Sequence, residues 1–112
     1  MHVIDHSTLP RLQDAGRQRF AAAHRALGFA PFELWVETLE LDAGADILPL
    51  ESARVMLVLS GHGKLFIDGA GQRFHAPCSL MLPPGAEGRV VNIGAEPLRL
   101  VTGFIPVDPP PV

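Results

Sequence analysis

The sequence has no tyrosine, one tryptophan, one cysteine and one lysine, the last set against eight arginines. The lone Cys78 cannot close an intrachain disulfide, and no cysteine cluster exists to hold a metal. A reducing compartment is therefore expected. No long apolar run is present, and Met1 to Pro10 carries His2, Asp5 and His6, so neither a membrane span nor a secretory signal is expected. A cytoplasmic protein without a membrane partner is the expectation. Positive charge is also short: nine Lys plus Arg against twelve Asp plus Glu give a net charge of −3. That is the wrong sign for a phosphate-binding surface, so no nucleic-acid partner is expected.

What is abundant is apolar surface and turn chemistry. With 112 residues, 47% of them hydrophobic, the chain can repay the entropy of ordering one core but not two. Eleven Gly and eleven Pro fall between short apolar runs, the punctuation of an all-β protein. Strands are predicted at Phe32 to Leu41, Arg54 to Leu59, Lys64 to Asp68, Gln72 to Ala76, Cys78 to Leu82, Arg89 to Ile93 and Leu98 to Ile105. Ser60-Gly61-His62-Gly63 predicts a hairpin between the second and third of these. Arg17 to Leu27 reads equally as strand or as short helix, because its Ala-rich stretch opposes the strand density around it. The abundance of Arg, Ala, Gly and Pro beside one Lys suggests a GC-rich bacterial genome.

Between Asp42 and Ile105 the order of turns and strands resembles the cupin superfamily, of the small single-domain RmlC-like kind. One family block runs about G-x5-P-x-G-x2-H-x3-N, and Pro83, Gly85 and Asn92 of PPGAEGRVVN stand at its positions. Gly88 stands where the family has histidine, and Pro77 where it has the leading glycine. The other block, about G-x5-H-x-H-x3,4-E-x6-G, matches at Gly44 and Gly61 and puts Arg54 at the glutamate. Residues 45 to 53, ADILPLESA, hold no histidine, so Leu48, Leu50 or Ser52 stand for imidazoles. The resemblance implies a cupin-like double-stranded β-helix, a jelly-roll barrel, over 32–106. An N-terminal extension at 1–31 and a proline-rich tail at 107–112 complete the single domain.

All four metal-ligand positions of the family are thus replaced, and a guanidinium at one of them repels a cation. The expectation is a protein with no metal, no cofactor and no catalytic residue of the family type. Metal-free cupin epimerases use a histidine with a tyrosine, and tyrosine is absent here. Period-two alternation puts Arg54, Met56 and Val58 on one strand face and Gly88, Val90 and Asn92 on one face of another. If both faces point inward, Arg54, Met56, Gly88, Val90, Asn92 and Glu51 are the candidate ligand-binding residues, with Gly88 opening space. Such a pocket suits a small anionic or amphipathic molecule such as a carboxylate. The alternative is an interior filled by Leu and Met, with Arg54 paired to Glu51 or another acid. Asn92 alternatively bonds backbone in the barrel wall. Trp35 faces either the pocket or a partner. His62 reads as a turn residue and His75 as an outward strand residue, while His2, His6 and His24 precede the barrel.

The function expected is a non-catalytic binding or sensing module for a small molecule. The competing expectation is an enzyme: a metal-dependent oxygenase or isomerase with relocated ligands, using Glu51, or a metal-free isomerase or lyase working through Arg54. A homodimer is expected from the resemblance, with residues 1–30 and the final strand supplying the interface because open sheet edges need covering.

Overall fold

Ten strands, all antiparallel in their pairings, are laid down in a computed structural model that describes residues 3–106. The expected proline-rich tail at 107–112 lies outside the described residues. The strands are β1 (Leu12–Asp14), β2 (Arg17–Ala23), β3 (Glu33–Leu39), β4 (Gly44–Ile47) and β5 (Arg54–Ser60). They continue as β6 (His62–Ile67), β7 (Ala70–His75), β8 (Cys78–Leu82), β9 (Gly88–Asn92) and β10 (Leu98–Phe104). One sheet runs β1-β2-β3-β10-β5-β8 and the other β4-β9-β6-β7. Among the described residues the only helices are 3-10 turns at His6–Thr8 and Arg25–Leu27. No helix there is long and apolar enough to cross a membrane.

Strict alternation explains why these sequences form half-buried strands. On β5, Met56 and Val58 are buried while Val55, Leu57 and Leu59 face outward. On β8, Leu80 and Leu82 point inward, and on β10 Leu98, Leu100 and Thr102 do. From the second sheet Ala45, Ile47, Phe74 and Val90 meet them, so the core lies between the two sheets.

The expected hairpin across Ser60–Gly63 does not form. β5 pairs with β10 and β8, whereas β6 pairs with β7 and β9, so the chain changes sheet at Gly61. Gly61 has φ +99°, and a Cβ there would sit 2.9 Å from both Leu98 Cα and Pro97 O. The glycine serves a crossover pressed against β10, not a two-residue turn, and His62 opens β6 on the surface. The tight hairpins lie elsewhere. Ala15-Gly16 joins β1 to β2 and Asp68-Gly69 joins β6 to β7, with positive φ at both central positions of each.

The ambiguous segment Arg17 to Leu27 is strand first and 3-10 turn second. Its Ala-rich part pairs with β3 from Arg17↔Leu39 to Ala23↔Leu34, so sheet pairing overrides helix propensity. β4 arises in a stretch where no strand was expected. The final strand is not an edge: β10 sits between β3 and β5, and the edges of that sheet are β1 and β8. Order in sequence does not give order in a sheet with crossovers, so β10 has no open edge to offer a partner.

Candidate functional site

Four inward rows of the larger sheet, followed away from the core, end in polar and aromatic side chains. β2 contributes Arg17 and Arg19, β3 Glu33, Trp35 and Glu37, β10 Thr102 and Phe104, and β5 Met56 and Arg54. Ala45 and Ile47 of β4, then Leu48 and Leu50 beyond it, close the opposite side. Together they line a cavity of ≈ 380 Å³ that opens to solvent. Its size falls in the range of small-molecule sites.

The register explains the grouping. Trp35 stands opposite Thr102, which stands opposite Met56; Glu33 stands opposite Phe104, which stands opposite Arg54. Arg19 stands opposite Glu37 on the neighbouring strands. Arg17 Nε donates to Glu37 Oε1, so this buried carboxylate is neutralised within the wall. Trp35 Nε1 donates to Glu33 Oε1 at 2.9 Å, which orients the indole. The Arg19 guanidinium lies 5.3 Å from the centre of the Trp35 ring, a cation–π distance.

Arg54 donates through Nη2 to the Leu48 carbonyl, which ties β5 to the far side of the cavity. It is half-buried, and burial lowers its pKa from the usual guanidinium value; it remains a cation at neutral pH. Among the described residues neither Arg54 nor Arg19 has a carboxylate partner. The Thr102 hydroxyl, also in this wall, has no hydrogen-bond partner among the described residues.

The sequence candidates divide. Arg54 and Met56 line the cavity; Gly88, Val90, Asn92 and Glu51 do not. Gly88 does not open space. A Cβ there would fall 1.7 Å from the Phe66 carbonyl oxygen, so the missing side chain lets β9 lie close against β6. Val90 is fully buried in the core, and Glu51 is exposed in the loop before β5 and makes no ion pair with Arg54 among the described residues. Asn92 is fully buried and saturated: Nδ2 donates to Leu39 O (3.0 Å) and Glu96 O (2.9 Å), and Oδ1 accepts from Gly94 N (2.9 Å). Its amide ties the end of β3 to the β9–β10 connection and has little left for a ligand.

Sequence reasoning missed Arg17, Arg19, Glu33, Glu37, Thr102 and Phe104. A signal was available in R-Q-R and in E-L-W-V-E, where charges recur at even spacings of two and four residues. Charges so spaced share one face. In the cavity wall that face is inward.

A divalent metal of the family kind does not fit these residues. The positions that would supply it hold Arg54, Gly88 and, for the imidazoles, Leu48, Leu50 or Ser52, so no imidazole or carboxylate stands at any of them. Among the described residues no three His, Cys, Asp or Glu side chains are grouped to hold a metal ion. His62 and His75 form an exposed T-shaped ring contact on β6 and β7, away from the cavity. His6 stacks against Phe20, and His2 lies outside the described residues. Burial pushes the Cys78 thiol up from its usual pKa, the opposite of an activated nucleophile.

No family model and no curated protein matches the sequence. Solved structures do. An RmlC-like cupin from Shewanella frigidimarina NCIMB 400 superposes with a TM-score of 0.78 at 16% identity, over 96% of this chain and 92% of that one. The polyketide cyclase RemF from Streptomyces resistomycificus gives a TM-score of 0.79 at 14% identity, over 98% and 82%. The Cupin_2 domain of an XRE family transcriptional regulator from Enterobacter cloacae gives 0.70 at 13% identity, over 84% and 100%. One of these is a catalyst and another part of a regulator, so the fold alone does not choose between those roles. Two antiparallel sheets in this order, a core between them and these neighbours together establish that the chain has the RmlC-like cupin fold.

Proposed function

We propose that the chain is a metal-free, non-catalytic binding or sensing module that takes a small anionic organic molecule between its sheets. The observation that carries this reading is the pair of guanidiniums, Arg19 and Arg54, lining one cavity without a carboxylate partner among the described residues. A buried or half-buried cation gains most from a charge-assisted partner, and a ligand carboxylate or phosphate supplies one. The Trp35 ring and Phe104 offer apolar surface for the remainder of the molecule.

A panel of small carboxylates and phosphate esters, scanned by thermal shift on wild type and Arg54→Ala, tests it. At least one compound raises the wild-type melting temperature, and the variant loses that shift while melting near wild type on its own. No shift from any compound, or one that survives Arg54→Ala, overturns the reading. Near-stoichiometric transition metal in untagged protein by inductively coupled plasma mass spectrometry overturns its metal-free part.

A second reading, an Arg-assisted isomerase or lyase, is favoured by one observation: the Glu33 and Glu37 carboxylates share the cavity with the arginines. A carboxylate can move a proton on an anion that guanidiniums hold. Turnover of a compound found in the scan, lost in Glu33→Gln, would select it.

A further inference from the structure

Within the cavity wall one pair of opposite charges is closed and three further charges are left open. Arg17 and Glu37 neutralise each other. Arg19, Glu33 and Arg54 line the same space, all half-buried, and among the described residues none of the three has an ionic partner. Glu33 and Arg54 are opposite in sign yet stand apart. Glu33 is beside Phe104 and Phe104 beside Arg54, so β10 separates their strands. At about 4.8 Å per strand spacing, the two backbones lie about 10 Å from each other. Each is held by a neutral group instead: Glu33 accepts from Trp35 Nε1 at 2.9 Å, and Arg54 donates to the Leu48 carbonyl. The Arg19 guanidinium lies 5.3 Å from the centre of the Trp35 ring, so one indole contacts both Arg19 and Glu33, which do not pair with each other.

We infer that the ligand is an acidic amino acid or a close analogue, a small molecule whose two carboxylates and one ammonium complement these three charges. The inference rests on the reading of the cavity as a site for a small anion and sharpens it. Partly desolvated charges gain most from partners of opposite sign. Two open guanidiniums and one open carboxylate therefore select two anionic groups and one cationic group on the same molecule. Placement orders those groups. Arg19 and Glu33 meet at the Trp35 ring, so the carboxylate and the ammonium they take belong on one carbon, as in an α-amino acid. Arg54 stands across Phe104 from Glu33 and takes the distal carboxylate. Trp35 and Phe104 cover the carbon chain between the two ends. A cavity of ≈ 380 Å³ is at the small end of ligand sites, which suits such a molecule. A monocarboxylate leaves one guanidinium unpaired, and a dicarboxylate without the amine sets its negative charge beside an unpaired Glu33.

Trp35 is the only tryptophan and tyrosine is absent, so indole fluorescence reports on this cavity. Titration by fluorescence and by calorimetry compares L-aspartate, L-glutamate and L-2-aminoadipate with two sets of counterparts. One set is the same dicarboxylates without the amine, and the other is the same amino acids with the distal carboxylate changed to a carboxamide. At least one acidic amino acid binds wild type, and either change weakens it at least about 10-fold, the loss of one charge-assisted contact. Glu33→Gln, which keeps an acceptor for Trp35 Nε1, removes the preference for the amine, and Arg54→Ala removes the preference for the distal carboxylate. The ligand comparison needs only wild type, so a variant that fails to fold leaves the test decisive. Arg54-dependent binding of another carboxylate or phosphate ester, with no gain from the amine, overturns this inference and leaves the reading of the cavity standing. An amine preference that survives Glu33→Gln also overturns it. Binding of no compound at all overturns both.

Discussion

The two ends of the space between the sheets are built by the same strands and differ completely. β3 runs inward as Glu33, Trp35, Glu37 and Leu39, β10 as Phe104, Thr102, Leu100 and Leu98, and β5 as Arg54, Met56 and Val58. At one end Leu39, Leu98, Leu100, Val58 and Val90 are shut off from water and fill the interior. At the other, charged and aromatic groups face a cavity. Aliphatic side chains interdigitate to native density, whereas guanidiniums and carboxylates cannot be packed dry without losing their hydration. The cavity is where those charges keep the sheets from closing on each other. Pocket and filled core, opposed alternatives in the sequence, coexist about four residues apart on each strand.

Breaking the filled end should have the largest effect. Leu100→Ala removes a fully buried side chain between the sheets and should cost about 2–5 kcal/mol in denaturant unfolding. A loss below 1 kcal/mol would mean that this end is as loosely packed as the other. Gly88→Ala comes next, at about 1–3 kcal/mol, because its Cβ must displace the Phe66 carbonyl. The same measurement separates close strand packing from an opened pocket: a ligand-lining Gly88 would lose affinity at unchanged stability.

The smallest effect belongs to the open end. Thr102→Val removes a buried hydroxyl without a partner and should raise stability by up to about 1 kcal/mol. If it lowers stability instead, that hydroxyl is bonded in solution and the open end is more ordered than its geometry indicates.

Much of the fold was legible because strand formation is local. Cys78 to Leu82 was delimited to the residue, and the other predicted strands to within about two, since Gly and Pro end them and period two marks their faces. β1 and β4, three and four residues long, carried too little pattern to be seen. The cupin resemblance rested on Pro83, Gly85 and Asn92, which place a turn and a wall amide, and it transferred to the fold. The site was legible only through Arg54 and Met56. Gly88, Val90 and Asn92 do share a face, as alternation required, but that face meets β6 and the filled end. The residues that complete the cavity, Arg17, Arg19, Glu33 and Glu37, precede the motif blocks on which the resemblance rests.

The sequence by itself determined that the chain is all-β, which side chains share a strand face, and that residues 45 to 53 and position 88 hold no histidine. These depend on residue identity and on spacing within one strand. Only the tertiary structure decided that β5 and β6 part at Gly61, that β10 sits between β3 and β5, and that β2 and β3 line the cavity with Arg54. Sheet membership and register are set by contacts between residues distant in the chain, and a two-residue period is the same whichever strand lies alongside.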